Sequence, residues 1–235
     1  MDYHRSYHLE PQMKNKIIYI LLLILVVAAL NSAFSHKNEA NINPTSYFPV
    51  NNNLILVYKS SFGESITKYF RTGEYTISSS EADKFKYRQT LIIKDDGIYV
   101  KETYQFLNVL LFIKKEETFT YNKPLLRFPL PLFPGREWKW EGEEYSKNGT
   151  TKVKIFGKVL NKEFIITKAG TFEAIKLESV IEGSSNEKNT VTEWYVKDLG
   201  LIKAKIIIEG GGMLGFLRDI LGYSTIEFEL TEIRK

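Results

Sequence analysis

The residues best suited to catalysis in this sequence are paired carboxylates. Glu141 and Glu143 lie two positions apart, as they would on one face of a strand. A glycosidase needs two carboxylates about 5 to 9 Å apart across a cleft, and this pair could meet that spacing. The solvated edge of a strand produces the same pattern. The pair therefore has two interpretations: the catalytic residues of a carbohydrate-active protein, or the solvent-exposed face of an ordinary strand.

The chain has few residues for histidine-based or cysteine-based catalysis and metal binding. The chain contains no cysteine, and its histidines, His4, His8 and His36, all precede the region that reads as a folded domain. This excludes disulfides and thiolate metal sites, and within the domain it also excludes a Ser-His-Asp triad and a histidine-based metal site. The glycine run 210–212 lacks the Lys-Ser/Thr of a phosphate loop. We therefore expect no enzyme activity, no cofactor and no metal.

Charge and composition indicate a globular protein without a nucleic-acid partner. The formal net charge of +4 is small for 235 residues, and the sequence has no clustered basic face that would neutralise phosphates. Aromatic residues make up 14% of the chain, mostly as 14 tyrosines and 15 phenylalanines. Such enrichment favours pleated, half-buried surfaces.

The N-terminus is typical of an exported protein. Residues 17–30, IIYILLLILVVAAL, carry no charge and follow Lys14 and Lys16. A small-residue cleavage box ends at Ser35, so residues 1–35 are predicted to be a signal peptide or, if uncleaved, a signal anchor that attaches the protein to the membrane. Met13 could serve as the start codon instead of Met1. Residues 36–46 are polar and are predicted to form a flexible tether.

The remaining residues, 47–235, read as one antiparallel β domain. Hydrophobic residues recur with period two, and the alternation predicts roughly ten to twelve strands without a long amphipathic helix. Asp96-Gly97 and Asn148-Gly149 supply the positive φ values that tight hairpins require. The segment 125–135 carries three prolines, so it is predicted not to be a central strand.

The alternation also assigns faces to the tryptophans. Trp138 and Trp140 are two residues apart in one predicted strand, so they share a face. Trp194 and Tyr195 are adjacent and must point to opposite faces. We expect Trp194 to point inward and Tyr195 outward.

Four motifs of the chain resemble those of an uncharacterised family of exported bacterial proteins with TapB-like domains. They are Tyr47-Phe48-Pro49-Val50 with Val57-Tyr58, Pro134-Gly135-Arg136-Glu137-Trp138, Lys168-Ala169-Gly170-Thr171-Phe172-Glu173-Ala174, and Glu193-Trp194-Tyr195 with Leu199-Gly200-Leu201-Ile202-Lys203. The resemblance implies an all-β fold: a single, strongly curved antiparallel sheet or open half-barrel of the kind seen in lipoprotein carriers, with an apolar hollow. It implies no catalytic residues. The chain departs from the family in lacking a lipobox cysteine, in Val57 where tryptophan is common, and in Lys168 where proline is common.

The binding hypotheses follow from this fold. We expect Trp138, Trp140 and Trp194 either to line a concave ligand-binding face or to fill the core. An apolar segment near the C-terminus is expected either to act as a lid or to plug the end of the barrel; its apolar residues are Met213, Leu214, Phe216, Leu217, Ile220 and Leu221. The predicted function is non-enzymatic binding of an acyl chain, a lipid or an apolar peptide at the cell envelope. A scaffold or adhesive module that pairs through an open sheet edge is the alternative.

Overall fold

A computed structural model describes a 3-10 helix, Pro44–Tyr47, followed by strands. The described residues are 44–50, 53–110, 113–183, 188–209, 218 and 222–235. The predicted signal segment, most of the predicted tether and the predicted lid residues from Met213 to Leu221 lie outside them. The strands are β1 (Ile55–Ser60), β2 (Gly63–Thr72), β3 (Tyr75–Ala82), β4 (Phe85–Lys94), β5 (Gly97–Leu110), β6 (Ile113–Pro129), β7 (Glu137–Ser146), β8 (Gly149–Thr167), β9 (Gly170–Gly183), β10 (Lys188–Val196), β11 (Gly200–Ile208) and β12 (Thr225–Arg234).

The strands form a closed barrel, so the predicted open half-barrel is wrong. Each strand pairs antiparallel with the next one in the chain, and β1 pairs with β12 to complete the ring. In this last pairing Ile55 lies opposite Arg234 and Ser60 lies opposite Phe228. Closure removes the unpaired backbone groups that the two edges of an open sheet would expose. The scaffold alternative needs such an edge, and every described strand has a neighbour on both sides, although β6 and β7 share only two ladder pairs.

Local turn signals predicted the hairpins correctly, although the positive φ values expected at Asp96 and Gly97 do not occur. Residues 95–96 connect β4 to β5, and residues 147–148 connect β7 to β8. Gly149 adopts a φ of 126°, which favours glycine. These turns join strands that are adjacent both in sequence and in the barrel wall.

The proline-rich segment was predicted only in part. Strand β6 continues through Pro129, and residues 125–129 pair with β5, so the segment does enter the sheet. The prolines are tolerated because β6 pairs with β7 only at Thr120 and Tyr121, which leaves the later residues of β6 without ladder partners on that side. Asp96 O accepts a hydrogen bond from the Leu130 N–H at 2.9 Å, where the strand ends.

Two buried aromatic residues close one end of the barrel, and we call Tyr47 and Phe48 the plug. Phe48 stacks on Phe128 with ring centroids 6.1 Å apart, and Tyr47 meets Tyr195 edge-on at 6.3 Å. The Asp198 N–H donates to Ser46 O at 2.7 Å and ties the 3-10 helix to the turn between β10 and β11. The plug therefore lies where β1 begins and β12 ends. We call this the plugged end and the other the far end.

Candidate functional site

The barrel encloses a cavity of about 900 Å³. Eight-stranded barrels are just wide enough to be filled by side chains or by one small ligand, and a ring of twelve strands is wider. The cavity extends from Phe48 of the plug to residues near the far end such as Lys114 and Asn148. Its volume lies within the range of about 300 to 1,000 Å³ typical of small-molecule sites.

One side of the wall near the far end is apolar and aromatic, whereas the side formed by the start of β6 and the turn between β7 and β8 carries charged residues such as Lys114, Glu117 and Lys147. Phe62 and Phe85 stack with ring centroids 5.3 Å apart, and Phe85 meets Phe228 at 6.3 Å. These rings pack against a buried cluster that includes Leu107, and Ile206 joins them from β11. All of these side chains line the cavity: Phe62 from the turn between β1 and β2, and the others from the inward-facing positions of their strands. This wall can hold the apolar part of a ligand.

A polar cluster lies deeper in the cavity, towards the plugged end. Arg127 of β6 donates to the Gln89 Oε1 of β4 at 2.5 Å, to the Glu193 Oε1 of β10 at 2.5 Å, and to the Tyr195 hydroxyl at 2.7 Å. The Tyr195 hydroxyl donates in turn to Glu193 Oε1 at 3.2 Å. The cluster joins three strands from different parts of the wall, so a buried charge pair spans the interior.

The cluster retains its charges because they compensate each other. Burial acts to lower the pKa of Arg127, but the Glu193 carboxylate, Tyr195 and Tyr87 together outweigh this effect and hold the pKa well above its usual value. Burial raises the pKa of Tyr195, so its hydroxyl stays protonated and can donate. The side chains of Arg127 and Glu193 are 18% and 13% exposed, and both line the cavity. A ligand could therefore contact them without unfolding the barrel.

Neutral hydroxyl groups and balanced charges complete the lining. Thr67 and Ser80 hydrogen-bond at 2.7 Å, and Thr103 bonds the Tyr121 hydroxyl at 3.2 Å. Basic and acidic lining residues are equal in number, four of each: Lys114, Lys115, Arg127 and Lys147 against Glu116, Glu117, Glu144 and Glu193. The lining therefore has no net charge that would select an ion.

The structure separates the predicted tryptophans. Trp138 and Trp140 lie together on the inner face of β7, but neither is among the residues that line the cavity. Trp138 covers Gly157 so closely that a Cβ there would lie 2.1 Å from the ring, and Trp140 packs against Val153 and Ile155. Both fill the wall between β6 and β8, and their role in ligand binding stays a prediction.

The predicted orientation of Trp194 and Tyr195 was reversed. Tyr195 points inward to Arg127, whereas the Trp194 N–H donates to Glu163 Oε1 at 2.6 Å on the outer face. The ammonium groups of Lys176 and Lys203 lie 5.1 and 5.9 Å from the Trp194 ring centre. Two lysine side chains and a carboxylate thus shelter the indole on the outer face of the barrel, where the sequence predicted Tyr195 instead.

The predicted carboxylate pair faces away from the cavity. Glu141 is 54% exposed and lies 3.5 Å from Lys154 and 3.7 Å from Lys139. Glu143 accepts a hydrogen bond from the Tyr145 hydroxyl at 2.9 Å. Both acids alternate with the inward-facing Trp140, so they lie on the convex surface and lack the cleft that glycoside hydrolysis requires.

Sequence reasoning missed the polar cluster, although one signal for it was present. Arg127 is the one charged residue in the apolar and proline-rich run from Leu125 to Pro134. A charge held in such a run needs a buried partner. The sequence does not show that Gln89 and Glu193 supply the partners, since they lie 38 and 66 positions away.

No helix among the described residues is long and apolar enough to cross a membrane. No metal-binding group of three or more His, Asp or Glu side chains occurs in that part of the chain either.

Comparisons with known proteins find similar shapes and no significant relatives by sequence. No protein-family model matches the chain, and no curated protein does either. A crystal structure of a "putative lipoprotein" from Parabacteroides distasonis is 13% identical, with a TM-score of 0.43 over 80% of this chain and 98% of that one. A "putative exported protein with YmcC-like fold" from Bacteroides fragilis is 13% identical, with a TM-score of 0.42 over 80% and 99%. Similarity at this level indicates no function for the chain, and the TapB-like resemblance is not confirmed.

Proposed function

We propose that this protein is a non-enzymatic, extracytoplasmic binding protein that holds the apolar chain of a neutral amphiphile inside its barrel. The observation that carries the proposal is the cavity of about 900 Å³. Its aromatic wall near the far end suits an acyl chain, and its hydroxyl groups and polar cluster suit an uncharged polar head group. Export rests on the sequence of residues 1–35.

The charge balance favours a neutral ligand over an anionic one. Arg127 is the one cation deep in the cavity, and its donors already serve Glu193, Gln89 and Tyr195. An incoming carboxylate would have to displace Glu193 and leave that acid buried without its partner, which is costly. A hydroxyl or ester group can instead share hydrogen bonds with side chains such as Ser78 and Gln105.

A bound polypeptide is the weaker alternative within the same class. Proteins that capture extended peptides commonly add them to a sheet edge. Every described strand of this barrel has a neighbour on each side, and the stretches without ladder partners are limited to β6 with β7 and to the end of the β8–β9 hairpin. A site inside the barrel favours a flexible chain that does not need backbone hydrogen bonds from a sheet edge.

A fluorescent long-chain alcohol and the matching fatty acid test the proposal in one titration. We expect saturable binding of both probes, with the alcohol bound more tightly. Ile206→Arg places a charge in the cavity wall and should weaken binding at least about tenfold, which corresponds to roughly 1.4 kcal/mol. The matched control is Ile207→Arg on the same strand, because Ile207 is exposed on the outer face.

The control must bind as the natural protein does, and both variants must keep the β signal in circular dichroism. Absence of saturable binding, or equal binding by both arginine variants, would overturn the proposal. Tighter binding of the fatty acid would keep the cavity as the site but contradict its preference for a neutral head group.

A further inference from the structure

The hairpin of β8 and β9 extends beyond its neighbouring strands. The last ladder pair of β8 with β7 is at Lys158, and the last pair of β9 with β10 is at Ile175. Residues 163–167 and 170–174 therefore pair only with each other. We call residues 162–174 the projecting hairpin. Its turn lies at the plugged end, because successive turns of an up-and-down barrel alternate between the two ends.

Two large apolar side chains of the projecting hairpin are exposed to solvent. Phe164 is 74% exposed and Ile166 is 78% exposed, higher fractions than those of the other large hydrophobic residues in the described chain. They are two residues apart on one strand, so they share a face. Phe133, at the same end, is 37% exposed. Two such exposed apolar side chains on one face indicate a contact surface more than scattered single residues do.

Exposed lysines flank the apolar pair. Lys162 precedes Phe164 by two residues, and Lys168 follows Ile166 in the turn. Neither has an ion-pair partner within the described residues, whereas Lys158 on the same strand pairs with Glu137 at 2.8 Å. Glu163 is bonded to Trp194 and Asn161 on the other face, and Glu173 is exposed opposite Phe164. The face of the hairpin that carries the apolar pair thus has two lysines and one acid, and this net positive charge beside apolar side chains suits an interfacial membrane contact.

The chain enters the barrel at the same end. The 3-10 helix Pro44–Tyr47 lies at the plugged end, and the apolar run 17–30 precedes it along the chain. Only thirteen residues, 31–43, separate the run from this helix, and they span at most about 45 Å even when fully extended. Any anchor formed by the apolar run is therefore attached to the end that carries Phe164 and Ile166.

We propose that the projecting hairpin docks on an anionic lipid bilayer. Phe164 and Ile166 insert at the boundary between head groups and acyl chains, and Lys162 and Lys168 contact lipid phosphates. The plugged end then faces the bilayer, and the far end with its aromatic cavity wall faces away from it.

Single-cysteine labelling tests this orientation in the full chain, which has no native cysteine. Phe164→Cys, Ile166→Cys and Asp83→Cys each take the NBD fluorophore, and the protein is mixed with vesicles of phosphatidylcholine and phosphatidylglycerol that carry a nitroxide on their acyl chains. Asp83 is exposed in the turn between β3 and β4, at the far end. We expect at least about twofold quenching at positions 164 and 166, as for groups buried about 5 to 10 Å into the interface, and none at position 83.

Charge reversal separates docking by the hairpin from attachment through the N-terminus alone. Lys162→Glu with Lys168→Glu, in the Ile166→Cys background, should reduce the quenching at least about twofold. The matched control, Lys84→Glu with Lys152→Glu, changes the net charge equally at exposed positions away from the hairpin and should leave the quenching unchanged. Unquenched labels at 164 and 166, whether or not the protein floats with the vesicles, would overturn the proposal. Equal or stronger quenching at position 83 would also overturn it, because the far end would then face the lipid.

Discussion

Arg127 shows how one residue can organise the interior of a wide barrel. Its guanidinium reaches side chains of β4 and β10 from β6, so the hydrogen bonds cross the interior instead of following one strand. The arrangement orients Gln89, Glu193 and Tyr195 around a single charge. Removing one member of a buried ion pair costs more than replacing both, because the remaining charge loses its partner.

Arg127→Met should therefore destabilise the protein by about 3 to 5 kcal/mol, since Glu193 would be left buried and unpaired. Arg127→Met combined with Glu193→Gln should recover much of that loss. Urea unfolding followed by circular dichroism measures both free energies of unfolding. Glu193→Gln alone completes the cycle. If the loss of unfolding free energy in the double variant equalled the sum of the losses in the two single variants, the two charges would not stabilise each other.

At the scale of elements, local signals predicted the hairpins, but the closure of the barrel depends on a long-range strand pairing that they do not indicate. Period-two alternation predicted β-strands, and the Asp96-Gly97 and Asn148-Gly149 turns predicted which strands pair as hairpins. No comparable signal marks the pairing of β1 with β12, whose partners Tyr58 and Leu230 are separated by most of the chain, so closure was missed. The faces of Trp194 and Tyr195 were inverted because alternation shows that neighbours differ but not which side is inward.

The junction between β6 and β7 is the weakest in the described barrel wall. It has two ladder pairs, Thr120 with Tyr145 and Tyr121 with Glu144, whereas β7 and β8 share ten. Side chains replace part of the missing ladder: the Trp140 N–H donates to Pro124 O at 3.1 Å, and Asn122 Oδ1 accepts from the Glu143 N–H at 3.1 Å. Fewer backbone bonds should allow this junction to open at a lower free energy than its neighbours.

A disulfide across the junction tests this expectation without background from native cysteines. Thr120→Cys with Tyr145→Cys joins registered partners, whose Cα atoms lie close enough for a disulfide. We expect hydrogen exchange in residues 120–129 to be faster than in residues 149–158, and oxidation of the pair to slow it at least about tenfold. The control pair, Glu141→Cys with Lys154→Cys, joins β7 to β8 and should leave that exchange unchanged. Equal exchange on both sides of β7 before oxidation would contradict a weak junction.

At the scale of the whole molecule, buried tyrosines couple the interior of the barrel to pH. Tyr58, Tyr69, Tyr87, Tyr121 and Tyr195 all line the cavity. Burial is the main cause that raises the pKa of each phenol, because the enclosed wall disfavours the phenolate. For Tyr69 the pKa rises from 10.0 to about 12. The folded barrel thus holds these protons more tightly than the unfolded chain does.

The sign of the pH dependence follows from that difference. Above pH 10 the unfolded chain loses its phenolic protons first, so the free energy of unfolding falls as the pH rises towards the folded pKa values, and it is undiminished below pH 10. Tyr69 alone should account for a loss on the order of 2 to 3 kcal/mol between about pH 10 and pH 12, since each pKa unit corresponds to about 1.4 kcal/mol. Thermal unfolding at stepped pH, read together with the ultraviolet absorbance of tyrosinate, should show the two transitions coinciding. Tyr69→Phe should flatten the fall in stability, and a melting temperature that stayed constant to pH 12 would show that the phenols are not held protonated by the fold.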